Sequence, residues 1–132
     1  MGVTGSGKSS FISLCCDKAA KIGHDLRACT TTVDVYAYEF SSKKTVYLID
    51  TPGFDDTSRS DIDVLREIAG WLTASYSNRV FPHGIIYLHR ISDVRMQGSA
   101  KKNLLMFKKL CGDDALRKVV LTTTIWYKVP RQ

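Results

Sequence analysis

Residues 2–9, GVTGSGKS, fit the pattern G-x-x-x-x-G-K-[ST], and each prescribed position has a physical reason. Gly2, Gly5 and Gly7 allow backbone angles that a Cβ forbids, so the main chain can curl around a phosphate. The curl points successive N–H groups inward and makes an anion-binding nest. Lys8 would add a positive charge reaching β- and γ-phosphates, and the Ser9 hydroxyl would ligate Mg²⁺. A second stretch, Asp50-Thr51-Pro52-Gly53, follows an apolar run. An Asp at the tip of a buried strand beside a phosphate loop can hold the same Mg²⁺ through a water. Gly53 has no side chain to keep its N–H from a γ-phosphate. The candidate phosphate-binding set is therefore Gly2, Thr4, Gly5, Ser6, Gly7, Lys8, Ser9 and Ser10, joined by Asp50 and Gly53.

The elements that must position these groups follow from spacing. Apolar residues Phe11, Ile12, Leu14, Cys15, Ala19 and Ile22 predict a helix over 9–22 with Gly23 as its stop, presenting its positive N-terminal end to the phosphates. Residues 24–32 are polar, threonine-rich and aperiodic, as a loop is. Residues 33–40 predict a strand near a sheet edge, and 45–49 a strand buried on both faces. The short turn between them makes the pair antiparallel. Ser60 and Asp63 form an imperfect capping box for a helix whose core stripe would be Ile62, Leu65, Ala69, Leu72 and Tyr76. A buried strand over 85–88, a helix over 99–110 with Leu104, Phe107, Leu110 and Cys111 inward, and a last strand over 119–121 complete the order.

Composition narrows the class. The chain has 132 residues, 44% hydrophobic and 24% charged, the make-up of one soluble globule. No apolar run reaches membrane-span length, and the start lacks the layout of a signal peptide. Cys15, Cys16, Cys29 and Cys111 form no C-x-x-C, so reduced thiols in an intracellular, cytoplasmic protein are expected. The net charge of +6 comes without aromatic interleaving or a recognition motif. It reads as a solvated helix face that balances a polyphosphate ligand, with no nucleic-acid partner.

The order of loop, threonine-rich loop, strand pair, D-T-P-G, helix, strand, helix and strand resembles the small GTPase domain of the P-loop superfamily. GVTGSGKSSFI, LIDTPGFDDTSRSD and GIIYLHRISDVRM look closest to fungal G-domain proteins, similar in turn to septins, chloroplast-import receptors and immunity-associated GTPases. The resemblance implies a mostly parallel three-layer α/β/α sandwich that binds GTP and Mg²⁺. It makes Thr30, with Thr31 and Thr32 as alternatives, the residue that folds over the nucleotide and adds a metal ligand. Catalytic roles then fall to Lys8, Thr30 and Gly53, metal ligation to Ser9, Thr30 and Asp50, and a homodimer through the nucleotide face is implied.

Three departures from that pattern carry expectations. After the last strand stands Thr123-Thr124-Ile125-Trp126-Tyr127-Lys128, with no Asp to pair with a guanine edge, so guanine choice rests on the resemblance. Trp126 could stack on a base or simply pack. Phe54 occupies the place where many relatives carry a water-orienting Gln, so hydrolysis should be slow or assisted by His89 or Arg90. Only Met1 precedes Gly2, so the central first strand, and with the C-terminal strand–helix pair the full sheet, is expected to be lacking from a single, truncated G domain over 1–132. The sequence leaves a slow GTP switch, a non-hydrolysing oligomerisation module, an ATP-using kinase and a non-binding product as rivals.

Overall fold

Apart from one added two-residue strand, helices and strands follow the expected order in this computed structural model, which describes residues 1–16, 21–22, 33–93 and 98–129. The elements are α1 (Lys8–Cys15), β1 (Lys21–Ile22), β2 (Asp34–Ser41), β3 (Lys44–Asp50), α2 (Asp61–Ser77), β4 (Ile85–Arg90), α3 (Gly98–Cys111) and β5 (Val119–Thr124). Short 3₁₀ turns at Asp113–Lys118 and Trp126–Lys128 flank β5. β1, β2 and β3 form an antiparallel sheet, with Tyr36 opposite Leu48 and an irregularity between Glu39 and Ser41. β4 and β5 run parallel, from Ile85 opposite Val119 to Arg90 opposite Thr124.

Residues 1–4 join the two sheets. Gly2 bridges Leu88 and Val3 bridges Phe54, both in parallel sense. The Met1 amine donates to the Ile86 carbonyl at 2.8 Å, and the Leu88 N–H donates to the Met1 carbonyl at 2.9 Å. On the other side Phe54 N–H donates to Gly2 O at 3.2 Å and Thr4 N–H to Phe54 O at 2.7 Å. This short stub stands where the sequence places the central first strand, between the D-T-P-G loop and β4. Burial, reinforced by the charge of Lys8, pulls the Met1 amine down to about 6.

The core forms where the stub meets α2. Val3, Phe54, Val64, Leu65 and Ile68 are buried together, with Met1, Leu72 and Ile85 packed against them. α2 starts as its sequence requires. The Ser60 hydroxyl donates to the Asp63 carboxylate at 2.6 Å, and Asp63 N–H donates back to Ser60 Oγ at 3.2 Å. Asp61 and Asp63 set negative charge against the helix N-terminus.

Four expectations need correction. The first helix ends at Cys15, not at Ile22, and Lys21–Ile22 pairs with β2 instead. The apolar spacing misleads because Leu14 is 83% exposed, while Ile12 and Cys16 carry the burial. β3 is not buried on both faces: Val46 is 41% exposed and Tyr47 59%, and β2 is the strand that pairs with it among the described residues. The buried face of α2 carries Val64, Leu65, Ile68, Trp71 and Ser75, whereas Ile62 is 62% exposed and Tyr76 56%. Two neighbouring stripes satisfy the helical period, and the one bearing Trp71 and Ile68 removes more apolar area from water. The last strand also runs further than expected, through Thr124.

Phe54→Ala should cost about 3–5 kcal/mol because its ring is wholly buried. Ile62→Ala should stay within about 0.5 kcal/mol. Denaturant midpoints of the two variants check both.

Candidate functional site

The phosphate loop is held from three directions. Within it, Ser6 N–H donates to Val3 O at 3.1 Å, and Gly7, in left-handed conformation, caps α1. From β5, the Thr124 hydroxyl donates to Ser6 O at 2.8 Å and to His89 O at 3.3 Å, tying the loop to the ends of both parallel strands. From the D-T-P-G side come the two Phe54 backbone bonds described above. Gly53 lies so close that a Cβ there would stand 2.5 Å from Thr4 Oγ1, 2.8 Å from Thr4 Cα and 2.9 Å from Lys8 Nζ. Only a residue without a side chain lets this turn rest on the phosphate loop.

Charge is concentrated at that contact. The Lys8 ammonium donates to the carbonyls of Gly2 at 3.3 Å and Val3 at 3.1 Å. Burial pulls the Lys8 pKa down, opposed by the negative charges of Asp50 and Asp56. Burial pushes the Asp50 carboxyl up, while Lys8 and the Met1 amine pull it back and Asp34 adds to the rise. Lys8 and Asp50 therefore sense each other across the junction of α1 and β3. Thr4 donates from its hydroxyl to Asp56 Oδ2 at 3.1 Å. Hydrogen bonds from the Ser58 hydroxyl and N–H and from Thr4 hold the Asp56 carboxyl below the usual carboxylate range.

Of the candidates from sequence, Gly2, Thr4, Gly5, Ser6, Gly7, Lys8, Asp50 and Gly53 gather at this junction. Ser9 and Ser10 stand exposed in the first turn of α1. Thr30, with Thr31 and Thr32, lies outside the described residues. Ser6 is fully buried, and its hydroxyl has no hydrogen-bond partner among the described residues; the Thr51 hydroxyl is in the same condition. The Arg90 guanidinium, paired through Nε with Asp93 at 2.9 Å, comes within 3.7 Å of the place a Cβ on Gly5 would take. Trp126 is 58% exposed rather than packed, and its indole N–H donates to the Thr123 hydroxyl at 3.1 Å.

Two contributors escape a reading of motifs alone. Asp56 sits in an Asx turn, its carboxylate accepting from Ser58 N–H at 2.8 Å, which the D-x-S spacing foreshadows. Thr124 has no such signal, because a threonine at a strand end becomes a brace only through the loop that packs against it.

The family model described as 50S ribosome-binding GTPase matches residues 1–114. No curated protein matches the chain. Among solved structures, the crystal structure of a dimerisation-deficient mutant of Toc33 from Arabidopsis thaliana resembles it with a TM-score of 0.76 at 19% identity. That match covers 100% of this chain and 51% of the other, so the chain spans about half the length of that relative. The likeness establishes the fold, a three-layer α/β arrangement of the P-loop nucleotide-binding kind.

Gly53→Ala should destabilise the protein by about 1–3 kcal/mol, since Thr4 backbone and Lys8 must both give way. Gly70→Ala, in the middle of α2 with nothing within 4 Å of the new Cβ, should stabilise it by about 1 kcal/mol. Thermal melts of the pair measure the difference.

Proposed function

We propose, for a chain that belongs to the 50S ribosome-binding GTPase family, a GTP-binding switch that hydrolyses its nucleotide slowly. The observation that carries this reading is the seating of Gly53 against Thr4 and Lys8. A turn docked on the phosphate loop through its backbone is sensitive to whatever fills the loop. In this reading residues 1–132 are one G domain, and Gly2, Thr4, Gly5, Ser6, Gly7, Lys8, Ser9 and Ser10 cradle the phosphates. Lys8 swings from the Gly2 and Val3 carbonyls to the β- and γ-oxygens, and loop amides stabilise the charge that develops there. Thr30 and Gly53 report the γ-phosphate.

The donor set suits Mg²⁺, which prefers hard oxygen ligands. The Ser9 hydroxyl is exposed at the start of α1, and the Asp50 carboxylate faces the field of Lys8. Thr30 would complete the set. Bound there, the ion neutralises negative charge on the β- and γ-phosphates.

Hydrolysis proceeds by in-line attack of water, without a covalent intermediate. Phe54 supports a slow rate, because its ring is locked in the core and orients no water. Of the two assisting residues weighed from sequence, Arg90 approaches the phosphate loop at Gly5. An intracellular, cytoplasmic setting agrees with free thiols at Cys15 and Cys16. No helix among the described residues is long and apolar enough to cross a membrane. The Toc33 structure is of a dimerisation-deficient mutant, and a homodimer through the nucleotide face is the corresponding proposal for this chain.

The buried Phe54 also favours a second reading, a nucleotide-holding oligomerisation module without significant turnover. Single-turnover assays with GTP and Mg²⁺ separate the two. The switch predicts phosphate release on the order of 10⁻⁴–10⁻³ s⁻¹. Lys8→Ala should lower that rate by roughly 10²-fold or more. Tight GTP binding with no phosphate release assigns the protein to the second reading. Absence of micromolar affinity overturns both, and ATP competing as well as GTP overturns guanine choice.

A further inference from the structure

α3 carries four lysines and no acidic residue along Gly98–Cys111. Asn103 is buried, which fixes the face that turns inward. Leu105 lies two residues on, about 200° around the helix, and is 50% exposed. On a helix surface, the neighbours of a residue are those three and four positions away in each direction. For Leu105 these are Lys101, Lys102, Lys108 and Lys109. An exposed leucine is therefore ringed by lysines at every neighbouring position. Lys101, Lys102 and Lys109 are exposed, and Lys108 is half-buried. The ring spans about 12 Å along the helix axis. That span is close to the Debye length at physiological salt, so its charges act together on an opposing surface. Arg117 and Lys118, in the 3₁₀ turn that follows, are exposed as well. Arg117 has an acidic neighbour, Asp114, at 3.7 Å. A surface that serves only solubility intersperses both signs of charge, and α3 does not.

We propose that this face of α3 docks on an anionic lipid surface, with the four lysines over the head groups and Leu105 at their boundary with the acyl chains. Charge complementarity calls for a negative partner, and the kind of cation says which. The lysine ammonium is a compact, strongly hydrated point charge that resists burial, and protein interfaces are depleted in it. A bilayer surface attracts such groups while leaving them hydrated. The long lysine stems reach head groups as the shorter leucine goes deeper. Nucleic acid is served less well, because its recognition favours arginine and stacking aromatics. The ring contains neither. One leucine and four charges make the contact peripheral and reversible. No residue of the ring belongs to the phosphate loop or the Gly53 turn, so the proposal stands apart from the nucleotide reading.

Co-sedimentation of the whole chain with vesicles tests this, using phosphatidylcholine with about one-third phosphatidylserine against phosphatidylcholine alone. Docking predicts half-saturation near about millimolar lipid on the anionic vesicles and no binding to the neutral ones. Raising salt from about 0.1 M to 1 M should abolish it. Lys102→Gln with Lys109→Gln should weaken partitioning by roughly twentyfold, about fivefold for each lysine. Leu105→Gln should weaken it by about threefold or more. The control, Lys43→Gln with Lys44→Gln, removes equal charge from the exposed turn between β2 and β3. It should cost less than about threefold, because those lysines lie outside the ring. All these side chains are on the surface, and unchanged melting temperatures show that the variants fold. The lipid and salt comparisons need no variant at all. Four results overturn the proposal: no partitioning at millimolar anionic lipid, equal binding to neutral vesicles, equal losses from the control and the ring pair, or tighter ring-dependent binding to a DNA or RNA duplex than to vesicles. Nucleotide is left out of every sample, so failure here leaves the switch reading untouched.

Discussion

Four backbone hydrogen bonds made by residues 1–4 hold the nucleotide face together. Met1 is laced to β4 through Ile86 and Leu88, and Gly2 and Thr4 are laced to Phe54. Each bond contributes only about 1 kcal/mol net. Their weight comes from what they connect, since leaving such groups buried and unpaired would cost more than the bonds yield. The same Phe54 whose N–H and C=O grip the stub buries its ring among Val3, Val64, Leu65 and Ile68. Core packing and loop position are thus one constraint: the D-T-P-G turn cannot leave the phosphate loop without disturbing the centre of the molecule.

The electrostatics of the face follow from that closeness. Lys8, drawn toward neutrality by burial, spends its donors on the carbonyls of Gly2 and Val3, while Asp50 and Asp56 favour its charged form. A phosphate competes for the same ammonium and also offers charge, so it binds where the loop is already curled. Thr4 and Asp56 meet at the rim of the same contact. In the proposed switch, a third phosphate would displace or reorder this edge, and a second phosphate alone would not need to reach it. That difference between diphosphate and triphosphate is the physical content of the switch proposed above.

Much of this was legible in the residues, and the misses share a cause. The loop, the D-T-P-G turn, the Ser60 cap and the element order are local signals, set by residue types within a few positions. As local structure they carry over, except that the element order gains the short strand Lys21–Ile22. The failures concern which surface an element turns inward. The stripe through Ile62 and Tyr76 is as periodic as the one through Ile68 and Trp71, and only the partner across the core decides between them. β3 reads as doubly buried because its side chains are apolar, yet burial needs a layer packed over each face, and its first half is exposed. Lys21–Ile22 became a strand because β2 had an edge to offer, which helix propensity does not know about. Thr124 braces the phosphate loop from 118 residues away in sequence, and no spacing rule spans that distance.

The central claim is that the phosphate loop and the Gly53 turn act as one unit that reads the length of the phosphate chain. Hydrogen exchange of the amides of residues 4–9 and of Gly53, compared between GDP and a slowly hydrolysed GTP analogue with Mg²⁺, tests it most directly. The account predicts that both nucleotides protect the loop and that the analogue alone adds protection at Gly53. Equal protection of Gly53 by both nucleotides, or protection of the loop by neither, would contradict it.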